Sequence, residues 1–347
     1  MSEYCCPYCF ADGYLRKTIN WPQNLKGNCS FCLKENQPLL EPHELKMDFQ
    51  PVVDLYVHGG TKTLAEQLGQ DWAIWSSKLK SDAQIRLLNA IFQKQFSKKH
   101  YCLRNLKKRE REAIAGWKEF SQEIKYQNRF IHPEDIHNRL GLDILASFMN
   151  QIQLKKLPKA LYRARINKDN YNRPLSLNKM GKPPVELAKN GRANPIGISY
   201  LYTGTTPKCA IHEVRPHIGA YVSVVDLRIK DPASIYIVDL RFQPGTISPF
   251  EIDELEKFSQ IIPFLKILDT KMSQPISPMK SDLDYLPIQY LCEYIKQQKV
   301  DGIVYKSAAC HGVKDYNIVF FSDEHIERNS VKCYHVLKNR IEFEKDV

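Results

Sequence analysis

Three separated polar clusters in the second half of the chain carry the side chains best suited to chemistry. They are Leu161–Arg165 (LYRAR), then Gly191–Asn194 (GRAN) followed by Tyr202 and Glu213, and finally Tyr305–Ser307 (YKS). Together they offer arginines, a carboxylate, phenols and a hydroxyl. Because arginine forks match phosphate oxygens, this set suits a ligand that carries phosphates and a ribose, and it suits a hydride-transfer or kinase site poorly.

The usual nucleotide-binding motifs are absent from the sequence. There is no Gly-x-Gly-x-x-Gly after a predicted strand and no Gly-x4-Gly-Lys-Ser/Thr. A Gly-x-Ser-x-Gly elbow and a kinase His-Arg-Asp are also missing. Phosphate binding would therefore rest on arginines.

A second chemical signal is the spacing of the N-terminal cysteines. Cys6, Cys9, Cys29 and Cys32 form a C-x2-C-x19-C-x2-C pattern, with Cys5 as a spare. Two thiolate pairs at this spacing can surround a tetrahedral Zn²⁺, and four thiolates leave no open position for catalysis. The pattern predicts a structural zinc ribbon, which could bind nucleic acid or protein or simply stabilise a small segment. The alternative is a set of reduced free cysteines.

The elements that must position these residues fall into three predicted domains. Residues 1–50 are expected to form the zinc ribbon-like segment and residues 51–154 a helical domain, with capping residues in Thr61–Glu66. Residues 155–347 show short strands interrupted by helices, which is an α+β layout. Expected strands are Tyr200–Tyr202, Tyr221–Leu227, Ile235–Leu240, Gly302–Tyr305 and Tyr316–Phe321, and expected helices are Pro207–Val214, Phe250–Leu268 and Leu283–Lys299.

Composition and charge limit the classes of protein to which the chain can belong. The 347 residues are 43% hydrophobic, and 50 Lys and Arg against 39 Asp and Glu give a net charge of +11. That charge is compatible with an ordinary soluble basic protein or with a surface for nucleotides or nucleic acid. No apolar run long enough for a membrane span and no signal peptide are visible. We therefore expect a cytoplasmic protein whose ten cysteines do not form a disulfide framework.

An ordered set of short motifs in the last domain resembles the RES domain family, named for its Arg, Glu and Ser. The motifs are Tyr162–Arg163, Gly191–Gly197, Tyr200–Tyr202, Ala210–Val214, Asp301–Ser307 and Tyr316–Phe321. The resemblance covers about residues 160 to 325 and implies an ADP-ribosyltransferase-like fold. Residues before it resemble the helical segment often fused ahead of this family. Members are mainly toxins that destroy NAD⁺ by hydrolysis or phosphorolysis, and at least one modifies a protein with ADP-ribose.

The resemblance also implies site residues. The family arginine falls on Arg163, with Arg165 as a near alternative, and the glutamate and serine fall on Glu213 and Ser307. A tyrosine upstream of the family's Gly-Arg-x-Asn turn is placed at Tyr171. Other expected substrate-binding residues are Arg192, Asn194, Tyr202 and Asn317.

These residue types fit cleavage of the nicotinamide–ribose bond. That reaction passes through an oxocarbenium-like state, which the Glu213 carboxylate would stabilise. Arg163 and Arg192 would hold the pyrophosphate, and Ser307 would orient the ribose or amide on the nicotinamide side. Without the resemblance, Glu213 reads as an exposed helical glutamate, the arginines as surface salt-bridge partners and Ser307 as a turn residue.

The sequence therefore favours an NAD⁺-consuming toxin or defence effector, restrained by an antitoxin or a trigger. One alternative is an ADP-ribosyltransferase that modifies a protein or nucleic acid. A second is a non-catalytic nucleic-acid-binding module that uses the ribbon and the basic charge. A structural Zn²⁺ and NAD⁺ as substrate are the expected cofactor and ligand.

Overall fold

The computed structural model describes residues 3–20, 25–96, 100–130, 135–168, 171–275, 281–307, 310 and 315–338. The chain divides into two compact units that are each built from non-contiguous segments. The first comprises Met1–Ala115, Gly141–Ile152 and Phe242–Phe264. The second comprises Gly116–Leu140, Gln153–Arg241 and Leu265–Val347. The contiguous domains expected at 1–50, 51–154 and 155–347 remain a prediction.

The described residues form helices and strands throughout. The helices are α1 (Gly13–Ile19), α2 (Lys46–Val53), α3 (Leu64–Trp72), α4 (Ser81–Phe92), α5 (Leu106–Tyr126), α6 (Asp135–Leu140), α7 (Leu142–Ser147), α8 (Pro207–Glu213), α9 (Leu255–Ser273), α10 (Ser281–Asp284) and α11 (Leu286–Gln297). The strands are β1 (Lys26–Gly27), β2 (Gln37–Pro38), β3 (Tyr56–Lys62), β4 (Tyr101–Leu103), β5 (Leu161–Ile166), β6 (Leu201–Gly204), β7 (Tyr221–Ile229), β8 (Ile237–Asp239), β9 (Gly302–Lys306), β10 (Tyr316–Phe320) and β11 (Ile326–His335).

The first unit combines the cysteine-rich N-terminus with helices and a hairpin. Its core includes a cluster of aromatic rings from Phe10, Phe49, Trp75 and Phe250. The capping signal in Thr61–Glu66 is confirmed, since Thr63 and Glu66 form a capping box at the start of α3. The antiparallel pair β3–β4 differs from the helical domain predicted for residues 51–154.

The second unit is organised by a seven-stranded sheet with the order β11-β7-β5-β6-β10-β9-β8. Neighbouring strands run antiparallel except β8 and β9, which are parallel. The mixture of helices with a largely antiparallel sheet confirms the α+β prediction.

The two faces of this sheet carry different residues because side chains alternate along each strand. Leu161 packs with Val225 and Ile318 on one face. Tyr162 and Ala164 lie on the other face, where the cluster includes Ala210 of α8. Helix α8 therefore covers the face of Tyr162 and Ala164.

The predicted start of α9 at Phe250 is wrong. Phe250 lies instead in a short 3-10 turn at Pro249–Glu251, whose Ser248 side chain accepts a hydrogen bond from the Phe250 backbone. Helix α9 begins at Leu255 and continues past Pro263 to Ser273. The predicted helix Leu283–Lys299 is interrupted at Tyr285 and ends at Gln297, and Lys299 has a left-handed φ of 60°.

Helix α8 lies very close to strand β6, and a glycine makes this approach possible. Thr206 caps the helix by accepting a hydrogen bond from Cys209, and Pro207 occupies its first turn, as predicted. A Cβ atom at Gly204 would lie 2.9 Å from the Ala210 nitrogen and 3.1 Å from the Cys209 Cβ. The absence of a side chain at Gly204 thus sets the distance between helix and sheet.

We predict that Gly204→Ala destabilises the protein by about 1–3 kcal/mol, because the added methyl group must displace α8. The measurement is thermal or denaturant unfolding of the full chain. Gly13→Ala is the control, since nothing lies within 4 Å of a Cβ at that helical position. Equal stability changes in the two variants would contradict the steric role of Gly204.

Candidate functional site

Glu213 is the last residue of α8, and its carboxylate is held over the sheet by two donors. The Asn317 amide nitrogen donates to Oε2 at 2.9 Å, and the Tyr305 hydroxyl donates to Oε1 at 3.4 Å. Asn317 of β10 pairs with Tyr305 on one side and with Gly204 on the other. Three neighbouring strands and one helix end therefore converge on a half-buried carboxylate.

Ser307 lies beside this carboxylate site, directly after β9, and is buried. Its hydroxyl forms a hydrogen bond with the Cys209 side chain, and the Cys209 thiol donates to the Asn317 side-chain oxygen at 3.2 Å. Burial raises the pKa of Cys209 to about 12, although the bond with Ser307 opposes this rise. The Cys209 thiol is thus protonated at neutral pH and is not a nucleophile.

Two phenols complete this face of the sheet, the buried Tyr305 and the half-buried Tyr202. Burial raises the pKa of Tyr305, and the negative charge of Glu213 raises it further. Burial also raises the pKa of Tyr202, whose hydroxyl donates to the Asn194 side chain at 2.7 Å and accepts from the Ala193 backbone. Both hydroxyls therefore stay neutral and able to donate.

Asn194 organises the loop that contains the Gly-Arg-Ala-Asn cluster. Its amide nitrogen donates to the carbonyl oxygens of Lys189, Pro195 and Ile198. A Cβ at Gly191 would lie 2.5 Å from the Asn194 Oδ1 and 2.7 Å from the Tyr202 hydroxyl oxygen. The cluster predicted as substrate-binding is thus built around internal hydrogen bonds that only a glycine at position 191 permits.

Gln289 is a residue of this network that the sequence reading missed. Its amide nitrogen donates to the Asn190 side chain and to the carbonyl oxygens of Gly191 and Asn194. Gln289 is 3% exposed. In the sequence, the signal for a buried role of Gln289 is its place as a polar residue between the apolar positions Ile288 and Leu291 of α11.

Arg192 is also engaged by the fold. Its guanidinium donates to the carbonyl oxygens of Lys271 and Gln274 at 3.2 and 3.0 Å, at the C-terminal end of α9. Tyr285 lies beneath it, with its ring centre 5.7 Å from the guanidinium carbon. Arg192 therefore satisfies helix-end carbonyl groups, which otherwise lack intrahelical partners.

Arg163 and Arg165 lie on the opposite face of β5 from Tyr162, Ala164 and α8. The Arg163 guanidinium donates to the Tyr202 carbonyl at 3.1 Å, and that of Arg165 donates to the Gly181 carbonyl at 2.9 Å. Among the described residues, neither is hydrogen-bonded to Glu213 or paired with a carboxylate. Burial, together with the charge of Arg165, lowers the pKa of Arg163 to about 10, so it remains cationic at neutral pH.

Tyr171 is likewise not brought to Glu213. Its side chain is 49% exposed, and its carbonyl accepts a hydrogen bond from the Asn167 amide at 2.6 Å. Its backbone shapes the segment after β5, and its phenol faces solvent.

Two ion pairs next to the carboxylate site were not anticipated. Arg241 forms a two-pronged contact with Asp239, at 2.9 and 2.6 Å, and stacks over Tyr316 at 3.8 Å. Lys306 pairs with Asp269. Lys306 and Tyr316 are cross-strand partners one position from Tyr305 and Asn317, so their side chains lie on the opposite face of the sheet.

The four predicted metal ligands form a separate cluster in the first unit. The Cys6 and Cys32 sulfurs are 3.4 Å apart, as are those of Cys9 and Cys29, and all four lie within 4.8 Å of one another. Tetrahedral Zn²⁺ with sulfur at about 2.3 Å places its ligands about 3.8 Å apart. The backbone amides of Phe31 and Cys32 donate to the Cys29 sulfur. The donor set and spacing fit a zinc ion.

Among the described residues, no helix combines the length and apolar character required to cross a bilayer.

Comparison with known proteins identifies a family and a remote likeness to solved structures. The sequence profile of the RES domain matches residues 160–343. No curated protein matches the sequence. A chain in the crystal structure of the M. tuberculosis MbcT–MbcA toxin–antitoxin complex is similar over 56% of this chain and 93% of that chain, with 9% sequence identity and a TM-score of 0.34.

Proposed function

Because this chain belongs to the RES domain family, we propose that it is an NAD⁺-consuming enzyme that cleaves the nicotinamide–ribose bond. The observation that carries the proposal is the Glu213 carboxylate, fixed by Asn317 and Tyr305 and still half-exposed. A carboxylate held by donors at the edge of a sheet can face a developing positive charge without first reorganising.

In the proposed reaction the bond from ribose C1 to the nicotinamide nitrogen breaks, and nicotinamide leaves with the bonding electrons. The ribose becomes oxocarbenium-like, and Glu213 stabilises its charge. Hydrogen bonds from Asn317 and Tyr305 fix the direction of the carboxylate. Water or inorganic phosphate then attacks C1, giving ADP-ribose or its 1″-phosphate, with the proton of the attacking group passing to solvent.

Ser307 is proposed to orient the ribose or the carboxamide of nicotinamide. Its burial beside Cys209 and Asn317 supports a positioning role. A nucleophilic role is disfavoured because the neighbouring thiol is a protonated donor and offers no general base.

For the pyrophosphate we propose Arg163 and Arg165, because both are cations without a carboxylate partner among the described residues. Both arginines lie on the face of the sheet opposite α8 and Glu213. A ligand that contacts them as well as Glu213 must therefore pass around one end of the strands. Arg192, by contrast, we propose to position the Gly191–Asn194 loop through its bonds to Lys271 and Gln274. Tyr171 stays a predicted substrate contact, and Asn194 and Tyr202 are proposed to shape the pocket wall.

In the cell, such an activity would make the protein a toxin or defence effector. Depletion of NAD⁺ harms the producing cell, so we propose that an antitoxin or a trigger protein restrains the enzyme.

We predict that Glu213→Gln lowers kcat for NAD⁺ consumption at least about 100-fold, which is about 2.7 kcal/mol of transition-state stabilisation. The amide keeps the shape of the side chain and removes its charge. The measurement is nicotinamide release by the purified full-length protein. Glu186→Gln is the control, because Glu186 is exposed in the same unit. Wild-type turnover by Glu213→Gln would reject the site.

Product analysis separates the candidate acceptors. We expect wild-type protein and NAD⁺ to give free ADP-ribose in phosphate-free buffer. ADP-ribose 1″-phosphate appearing on addition of phosphate would identify phosphorolysis. Label from NAD⁺ that remains on a protein or nucleic acid would favour the transferase instead. Mass spectrometry of small molecules and labelled macromolecules gives all three results.

We also propose that Cys6, Cys9, Cys29 and Cys32 hold one structural Zn²⁺. The ion would stabilise the N-terminal segment by joining the Cys6–Cys9 turn to the Cys29–Cys32 turn. Four thiolates complete its coordination, so the ion takes no part in the reaction.

We predict about one zinc per chain and its loss in Cys29→Ser, because one hydroxyl cannot replace the thiolate. Metal analysis after gel filtration measures the stoichiometry, and thermal unfolding measures the accompanying loss of stability. Cys102→Ser, a half-buried cysteine of β4 outside the cluster, should retain the ion. Equal zinc in both variants would contradict the assignment.

A further inference from the structure

The chain concentrates its positive charge in one short stretch that the proposed enzyme site does not use. Residues 94–111 contain eight Lys and Arg and one Glu, in a protein whose total net charge is +11. The remaining residues are therefore close to balanced. Such a local excess produces a field that attracts polyanions.

Four of these cations lie at the start of α5 or directly before it. Lys107, Lys108 and Arg111 lie on one face of the helix at i, i+1 and i+4, and Arg104 precedes the helix, separated from it by Asn105, whose φ of 57° is left-handed. All four are exposed. We call this set the basic stripe.

The basic stripe is poorly neutralised by the fold. Among the described residues its one ion pair joins Lys108 to Glu112 at 3.8 Å, and both side chains are largely exposed. Arg104 donates to the backbone carbonyl of Asp54, and Arg111 donates to that of Lys107. Solvent-exposed pairs of this kind contribute little, so most of the charge is free to act on a partner.

The position of the basic stripe is unfavourable for the helix itself. Helix α5 has no acidic residue in its first turn, where acidic side chains would complement the helix dipole. Cations there repel the partial positive charge of the free amide groups. Cations in the first turn therefore lower the stability of the helix. In natural proteins, a destabilising feature of this kind is expected at functional sites.

An aromatic pair precedes the basic stripe on the antiparallel strand pair β3–β4. The rings of His58 and Tyr101 are 4.7 Å apart, and His58 is exposed. Strand β4 ends at Leu103, directly before Arg104, so the chain itself joins the ring pair to the cations. Exposed rings beside a row of cations are the combination that binds single-stranded nucleic acid, with bases on the rings and phosphates on the cations.

We propose that the basic stripe and the His58–Tyr101 pair bind single-stranded nucleic acid. An acidic protein would supply no bases for the rings. A membrane would need an apolar face beside the cations, whereas Glu110 and Glu112 flank them. This surface is independent of the Glu213 site.

The test is fluorescence anisotropy of the full chain with a labelled single-stranded DNA or RNA of about twelve nucleotides, over a range of salt concentrations. We expect the double variant Lys107→Gln, Lys108→Gln to bind at least about tenfold more weakly at low salt, and the slope of log K against log salt to fall by about 1.4. The matched control is Lys155→Gln with Lys156→Gln, an exposed adjacent pair elsewhere.

Two further measurements separate this proposal from general charge attraction and from misfolding. Lys107→Glu should abolish binding while leaving the melting temperature unchanged or raised, since an acidic residue suits that helix end. His58→Ala should weaken binding of the oligonucleotide and leave binding of heparin, which has no bases, unchanged. Equal losses of oligonucleotide binding in the Lys107→Gln, Lys108→Gln variant and its control would overturn the proposal. Tighter binding of polyglutamate or phosphatidylserine vesicles than of the oligonucleotide would also overturn it.

Discussion

The carboxylate site depends on one buried amide. Asn317 donates to the Glu213 carboxylate and accepts from the Cys209 thiol, so it contacts the last turn of α8 with one atom and the first turn with the other. Asn317 is 2% exposed, and a buried amide left without partners would be costly. Both of its polar ends are satisfied only when α8 lies in this position against β10. Gly204 leaves room for α8 close to β6, and the hydrogen bonds of Asn317 fix the orientation of α8.

The arginines of the RES domain differ in how fully the fold satisfies them. Arg192 gives its hydrogen bonds to backbone carbonyls and thereby joins the loop before β6 to the end of α9. Arg163 and Arg165 each donate to one backbone carbonyl as well, but their buried Nε atoms have no partner and neither arginine forms an ion pair with a carboxylate among the described residues. A buried guanidinium of the second kind is destabilising in the absence of an anion. That cost distinguishes the arginines that support the fold from those available to a ligand.

Features whose causes lie within a few residues were predicted correctly from the sequence. Contacts between residues far apart in the chain were not predicted. The Thr206–Pro207 start of α8 and the Thr63–Glu66 capping box were visible because their causes lie within a few residues. The RES resemblance itself is confirmed, since it rests on ordered short motifs. The engagement of Arg192 was not predictable, because its partners lie about eighty residues away in the chain. Gln289 was hidden for the same reason, and Phe250 looked helical because its aromatic packing partners are remote.

The order of strands in the sheet has a consequence for the time at which the site can form. Glu213 is separated by 104 positions from Asn317, and β10 must insert between β6 and β9 before the carboxylate has its donors. During synthesis from the N-terminus, helix α8 leaves the ribosome long before β10 exists. A nascent or truncated chain that ends before residue 317 therefore lacks an assembled carboxylate site. The carboxylate site therefore forms only after β10 has been synthesised and has entered the sheet.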